Sequence, residues 1–241
     1  MQPRDYRLLD SGERALIVEF GDRVDAAINA RVLALDGALA KAAPAGIIET
    51  VPTYRSLAIH YDPLRLSRDA LADHVERLAQ PHGAAPAPAA RWTFPCCLDE
   101  GMGEDLGEVA AATGLSRNRV AALFVGAVYR VYMYGFAPGW CYLGGLPHEI
   151  ALSRRAILRP PTPENSVLIG GGLALVAVNS MPTGWYVVAR TPERMFARDR
   201  AQPFLVGVGD EIIFAPVDGA AFAALEERVA QGEVVARRTG L

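Results

Sequence analysis

The chain has little of what usually announces chemistry. Histidine is scarce: His60, His74, His82 and His148 are the only four in 241 residues. None is spaced from another histidine or a cysteine as metal ligands are, so no metal is expected. There is no G-x-S-x-G elbow and no Walker loop, and His148-Glu149 lacks the second histidine of a zinc-protease motif. Cysteine is limited to adjacent Cys96 and Cys97 and to Cys141. That pattern excludes a disulfide framework and fits reduced thiols in a cytoplasmic protein. No charge of one sign accumulates. A net charge of −3 leaves no basic surplus to neutralise phosphates along a polymer, so nucleic acid is not an expected partner. The longest apolar stretch, Val167 to Val178, contains three glycines. At about a dozen residues it is too short for a bilayer of roughly 30 Å. The segment Met1 to Arg14 has no apolar h-region, so neither a signal peptide nor a membrane partner is expected.

What is present is ordinary globular material, 51% hydrophobic and 21% charged, enough for one large or two modest cores. The stretch Gln80 to Arg91, rich in proline and alanine, carries no periodic pattern and reads as a linker over 81–91. Before it, residues 1–80 read as β-β-α-β-β-α. Strands are expected at Tyr6 to Leu9, Ala15 to Phe20, Gly46 to Val51 and Ser56 to Tyr61. Helices are expected at Asp25 to Leu39, with Ile28, Val32 and Leu35 on one face, and after Ser67, with Leu71, Val75 and Leu78 inward. This is an α+β sandwich. After it, residues 92–241 open with a strand, Trp92 to Cys97. A helical hairpin follows: Asp105 to Ala112, a left-handed cap at Gly114, then Ser116 to about Phe124. Short runs at Tyr129 to Tyr134, Ser166 to Ile169, Leu173 to Val178, Tyr186 to Arg190 and Glu211 to Ala215 predict a closed or partly closed β-barrel. Gly219 to Val229 reads as a terminal amphipathic helix.

Two segments suit a pocket better than a core. Tyr132 to Pro147 combines glycines, prolines and aromatics, which allow close ligand approach and supply flat apolar walls. Pro182 to Pro192 sets Trp185 after a turn and Arg190 at a strand end. Arg154, Arg155 and Arg159 lie nearby, and an arginine fork suits a carboxylate or phosphate; a solvated surface cluster is the bland alternative for Arg155. Gly170-Gly171-Gly172 lacks a following helix and Lys-Ser/Thr, so it reads as a tight turn or bulge between strands rather than a phosphate cradle. Cys141 has nothing local to lower its pKa and reads as a buried thiol. Glu164 and Glu193 are the carboxylates closest in sequence, and no general acid or base stands out.

The motifs then resemble a known family. Val51-Pro52-Thr53-Tyr54-Arg55-Ser56-Leu57 with His60-Tyr61-Asp62-Pro63 is similar to the N-terminal signature of a family that joins allophanate hydrolase subunit 1 to the B component of 5-oxoprolinase. Tyr129-Arg130-Val131-Tyr132, Gly135-Phe136-Ala137-Pro138-Gly139 and Tyr142-Leu143-Gly144-Gly145-Leu146 resemble its most specific motif. Pro182-x-Gly184-Trp185, Arg190-Thr191-Pro192, Pro203-Phe204-Leu205, Gly209-Asp210 and Phe214-Ala215-Pro216 follow in order. The resemblance implies an N-terminal α+β domain and a cyclophilin-like β-barrel. It also implies ATP as cofactor and a homologous second subunit, of the type of allophanate hydrolase subunit 2 or the C component of 5-oxoprolinase. The substrate would be a small amide or lactam. Phe136, Tyr142 and Trp185 would wall the pocket, and Arg154, Arg159 and Arg190 would hold anionic groups. Some relatives instead inhibit a sensor histidine kinase, and a third reading is a catalytically degenerate scaffold subunit. Three stretches differ from the family pattern: Phe124 stands in place of a histidine, Thr162 to Ser166 is altered, and Leu173 to Val178 is apolar where the family's strand is polar.

Overall fold

The computed structural model describes residues 5–79 and 90–240. The chain divides into two compact units between residues 87 and 88. The proline- and alanine-rich linker lies outside the described residues except for Ala90 and Arg91.

In the first unit, strands β1 (Arg7–Asp10), β2 (Ala15–Glu19), β3 (Ile47–Pro52) and β4 (Ser56–Tyr61) form an antiparallel sheet in the order β1-β2-β4-β3. Helices α1 (Ala26–Ala42) and α2 (Arg68–Leu78) supply the second layer. The Asp25 side chain caps α1 by accepting from Ala27 and Ile28 N–H, and Ser67 caps α2 through Ala70 N–H. Period-two positions Leu16, Val18 and Phe20, with Leu57, Ile59 and Tyr61, meet Val32, Leu35, Leu39, Leu71 and Val75 in one core. The Val51 to Leu57 motif is explained here by architecture. Thr53 Oγ1 donates to Ser56 O at 3.0 Å, and fully buried Asn29 donates to Thr53 O at 3.0 Å, tying α1 to the β3–β4 turn.

The second unit contains β5 (Arg91–Cys96), α3 (Leu106–Thr113), α4 (Arg117–Val125), β6 (Tyr129–Tyr134), β7 (Cys141–Gly144), β8 (Ser166–Gly170), β9 (Leu173–Ala177), β10 (Tyr186–Arg190), β11 (Glu211–Pro216), α5 (Gly219–Ala230) and β12 (Arg237–Thr239). Gly114 ends α3 in the left-handed region at φ 70°. The strands form one sheet in the order β10-β8-β9-β7-β6-β11-β5-β12. Only β11 and β5 run parallel among these pairs. The expected barrel is not a closed ladder. The edge strand β10 meets the residue after β5 at a single point, where Cys97 and Arg190 exchange both backbone hydrogen bonds, at 2.8 and 3.0 Å.

The apolar Leu173 to Val178 run has a packing cause. Val167, Ile169, Ala174 and Val176 face the main core, while Leu168, Leu175 and Ala177 face a second cluster with Trp140, Trp185 and Val187. Both faces of β8 and β9 are therefore buried, and neither can alternate with polar residues. Phe124 is likewise core: fully buried, with its ring stacked 5.0 Å from that of Phe214. The Tyr132 to Pro147 stretch, whose glycines and prolines read as loop, holds the end of β6, a short turn and β7. Gly144 makes that pairing possible, because a Cβ there would lie 1.9 Å from the Tyr132 ring.

Candidate functional site

The β6–β7 turn presents Phe136, 74% exposed and in the left-handed region at φ 70°, an uncommon state for a bulky residue. Its ring lies 5.0 Å from that of Trp140. With Tyr134, Gly139 and Phe204 it lines a mainly apolar hollow of about 290 Å³. Phe136 is thus on an open rim and is not grouped with the other expected pocket residues.

Tyr142, Trp185 and Arg154 do come together. Tyr142 on β7 is half-buried and meets the buried Trp185 indole edge-on, with centroids 6.1 Å apart. Gly170 lets the indole lie against the end of β8: a Cβ there would be 3.1 Å from the Trp185 ring. Gly171 and Gly172, at φ 61° and 78°, make the tight β8–β9 turn expected for the glycine triplet. A Cβ on Gly171 would lie 3.9 Å from Arg154 Cγ. Burial raises the Tyr142 hydroxyl's pKa, and the positive charge of Arg154 opposes that rise, so the two groups feel each other. Arg154 is exposed and forms no ion pair among the described residues. A cation beside a phenol and an indole, at a glycine turn, can hold a small anion with a flat apolar body.

The remaining arginines are engaged elsewhere. Arg155 pairs with Asp105 at 3.1 Å and Glu108 at 2.5 Å, and its guanidinium lies 4.3 Å from the Tyr186 ring centroid. Arg159 pairs with Glu104 and Asp105. Asp105 also accepts Val187 N–H at 2.7 Å. These contacts clamp the chain from Arg155 to Arg159 onto the start of α3. Backbone bonds from Arg155 to Gly184 O and from Arg159 to Thr183 O hold the same stretch alongside the Trp185 turn. Arg190 lies 5.4 Å over the Phe222 ring and 3.6 Å from Glu226, and donates to Glu164 O.

Cys141 is fully buried and burial pushes its thiol pKa up, so it offers no thiolate. Burial raises the Cys96 thiol to about 12. Glu193 is 1% exposed and accepts from Arg194, Val235 and Ala236 N–H, so it anchors the C-terminal segment rather than meeting a ligand. Among the described residues, no His, Cys, Asp and Glu group has the form of a metal site. No helix among them is long and apolar enough to cross a membrane.

Sequence reading missed a second hollow, about 410 Å³, lined by Glu164, Asn165, Val178, Arg194, Phe196 and Arg198. It lies under a hairpin in which Phe196 bridges Phe204, Ala197 N–H donates to Pro203 O, and Leu205 N–H donates to Met195 O. The available signal was the charge run Arg198-Asp199-Arg200 at the tip of that hairpin.

The chain is similar to known proteins along most of its length. Residues 6–206 match the family described as carboxyltransferase domain, subdomain C and D. The chain is 30% identical over 233 residues to the B component of 5-oxoprolinase from Bacillus subtilis, spanning 92% of this chain and 97% of that protein. The solved structure of TTHA0988 superposes with a TM-score of 0.75 at 34% identity; 86% of this chain covers 40% of that one, about two fifths of its length. Urea amidolyase of Kluyveromyces lactis gives a TM-score of 0.81 over 97% of this chain and 16% of its own, at 18% identity, a likeness of fold alone.

Proposed function

The chain belongs to the carboxyltransferase subdomain C and D family, and from that premise we propose that it is one half of a two-subunit, ATP-dependent hydrolase of a small amide or lactam. The observation that carries the reading is the near end-to-end correspondence with the B component of 5-oxoprolinase. Arg154, outside any ion pair among the described residues and beside Tyr142 and Trp185, supports it, since that group suits the carboxylate and flat ring of a compound such as 5-oxoproline. In the same reading the eight-stranded sheet is a cyclophilin-like barrel, with the Cys97–Arg190 exchange as its seam. Residues 1–80 and 92–241 are then separate domains on an 81–91 linker, which limited proteolysis should cut first.

ATP enters through the family alone. The glycine triplet joins two antiparallel strands, and around the glycines before α3 the N–H groups of Met102, Gly103, Asp105 and Leu106 already donate to main-chain carbonyls. Neither segment fits a triphosphate. In this reading a homologous second subunit completes the nucleotide site and supplies acid–base groups.

The test is co-expression with the homologous second subunit, followed by ATP hydrolysis assays with 5-oxoproline and with allophanate. Turnover is expected only with both subunits and one of these substrates. Substantial turnover by the isolated chain, or none by the pair, sinks the reading.

A further inference from the structure

The hollow under the Phe196–Phe204 hairpin carries an unusual charge pattern. Glu164, Arg194, Arg198 and Asp199 all line it, two of each sign. None of the four side chains forms an ion pair among the described residues. Elsewhere in this unit arginines near carboxylates do pair, as Arg91 with Glu211 at 2.5 Å and Arg155 with Asp105 at 3.1 Å show. Opposite charges that share a hollow without closing on one another leave a space whose complement also carries both signs.

The frame around that space is fixed. Arg194 is held by its backbone at both ends: its N–H donates to buried Glu193, and its carbonyl accepts from the Arg200 guanidinium. These bonds fix the backbone from which its exposed guanidinium extends. Asn165 sits in the left-handed region at φ 56°, and its carbonyl accepts Thr191 N–H at 3.0 Å, holding it there. Phe196 and Val178 give the hollow an apolar wall.

We propose that this hollow binds a small zwitterion, an α-amino acid. Its carboxylate lies between Arg194 and Arg198, its ammonium faces Glu164 and Asp199, and an apolar side chain rests against Phe196 and Val178. The volume, about 410 Å³, lies in the ordinary range for small-molecule sites. The inference goes beyond the hydrolase reading and stands without it, although hydrolysis of an amino-acid lactam would release such a molecule.

The probes are norvaline, pentanoate, which is norvaline without its ammonium, and butylamine, which is norvaline without its carboxylate. Titration calorimetry with the full chain should give saturable norvaline binding. Pentanoate and butylamine should each bind at least about tenfold more weakly, because each leaves one set of protein charges unanswered. Glu164→Gln should narrow the gap between norvaline and pentanoate, and Arg194→Gln the gap between norvaline and butylamine. All these side chains are exposed, so melting temperatures should not move. Absence of saturable norvaline binding, or equal affinity for pentanoate, overturns the proposal. Equal binding of 5-oxoproline and norvaline in this hollow would also overturn it while leaving the hydrolase reading intact. Norvaline binding without ATP turnover by the two-subunit pair would sink that reading and spare this one.

Discussion

Arg154 and Arg155 are neighbours in sequence with opposite circumstances. Arg155, with Arg159, is locked against Asp105, Glu104 and Glu108 at the start of α3. Arg154 stands exposed beside Tyr142 and the Gly170–Gly172 turn, free of any ion pair among the described residues. One region spends its positive charge on holding a segment in place, and the other leaves it available. The difference teaches that arginine density does not locate a binding site; the carboxylates brought in from other elements decide which arginines remain open.

The sharpest way to break this comparison is at Asp105. Asp105→Ala removes a partner from Arg155, from Arg159 and from Val187 N–H at once. Loss of roughly 2–4 kcal/mol of stability is expected in urea unfolding, as for a broken, partly buried charge network. A change below about 0.5 kcal/mol would mean the clamp is not structural.

Arg154→Ala should do the reverse. Anion affinity in the assembled enzyme should fall by about 1.5–3 kcal/mol, the usual worth of a charged hydrogen bond, while the melting temperature holds. The same change should raise the Tyr142 hydroxyl pKa further, since Arg154 opposes its rise. Tyrosinate absorbance, taken as the difference from Tyr142→Phe, reads that shift, and an unchanged titration would separate Arg154 from Tyr142.

Salt distinguishes the two regions more gently. Raising ionic strength from about 0.05 to 0.5 M should weaken anion binding severalfold, because exposed charges are screened, and change the melting temperature little. Parallel loss of both would place Arg154 and the clamp in one class. The smallest effect belongs to Glu226, half-exposed and 3.6 Å from Arg190. Glu226→Gln should cost less than about 0.5 kcal/mol, as surface pairs do, and a larger loss in urea unfolding would give Arg190 a structural role nearer to that of Arg155.

Local signals were legible where local physics decides. The caps at Ser67 and Gly114 and the helix faces at Val32, Leu35, Leu71 and Val75 follow from spacing alone. The glycine triplet read as a strand turn for the same reason. Less visible was β7, because Gly139, Gly144 and Gly145 hide a strand inside what reads as loop, and only the Tyr132 ring explains Gly144. Arg159 could not be told from Arg154, since its partners lie 54 and 55 residues away in sequence. The Glu164–Arg198 hollow stayed hidden because it needs a hairpin fixed by main-chain bonds, which composition does not encode.

The parallel pairing of β5 with β11 has a consequence for how the protein is made. Arg91 stands opposite Glu211, 120 residues later, and the other neighbour of β5 is β12, later still. During synthesis Trp92 and Phe94 therefore emerge with no strand on either side. At roughly 5–20 residues per second, that wait is on the order of ten seconds. The first unit, whose four strands are all translated by Tyr61, has no such delay. Nascent chains stalled before residue 211 should thus carry a folded first unit and a sticky, protease-sensitive second one.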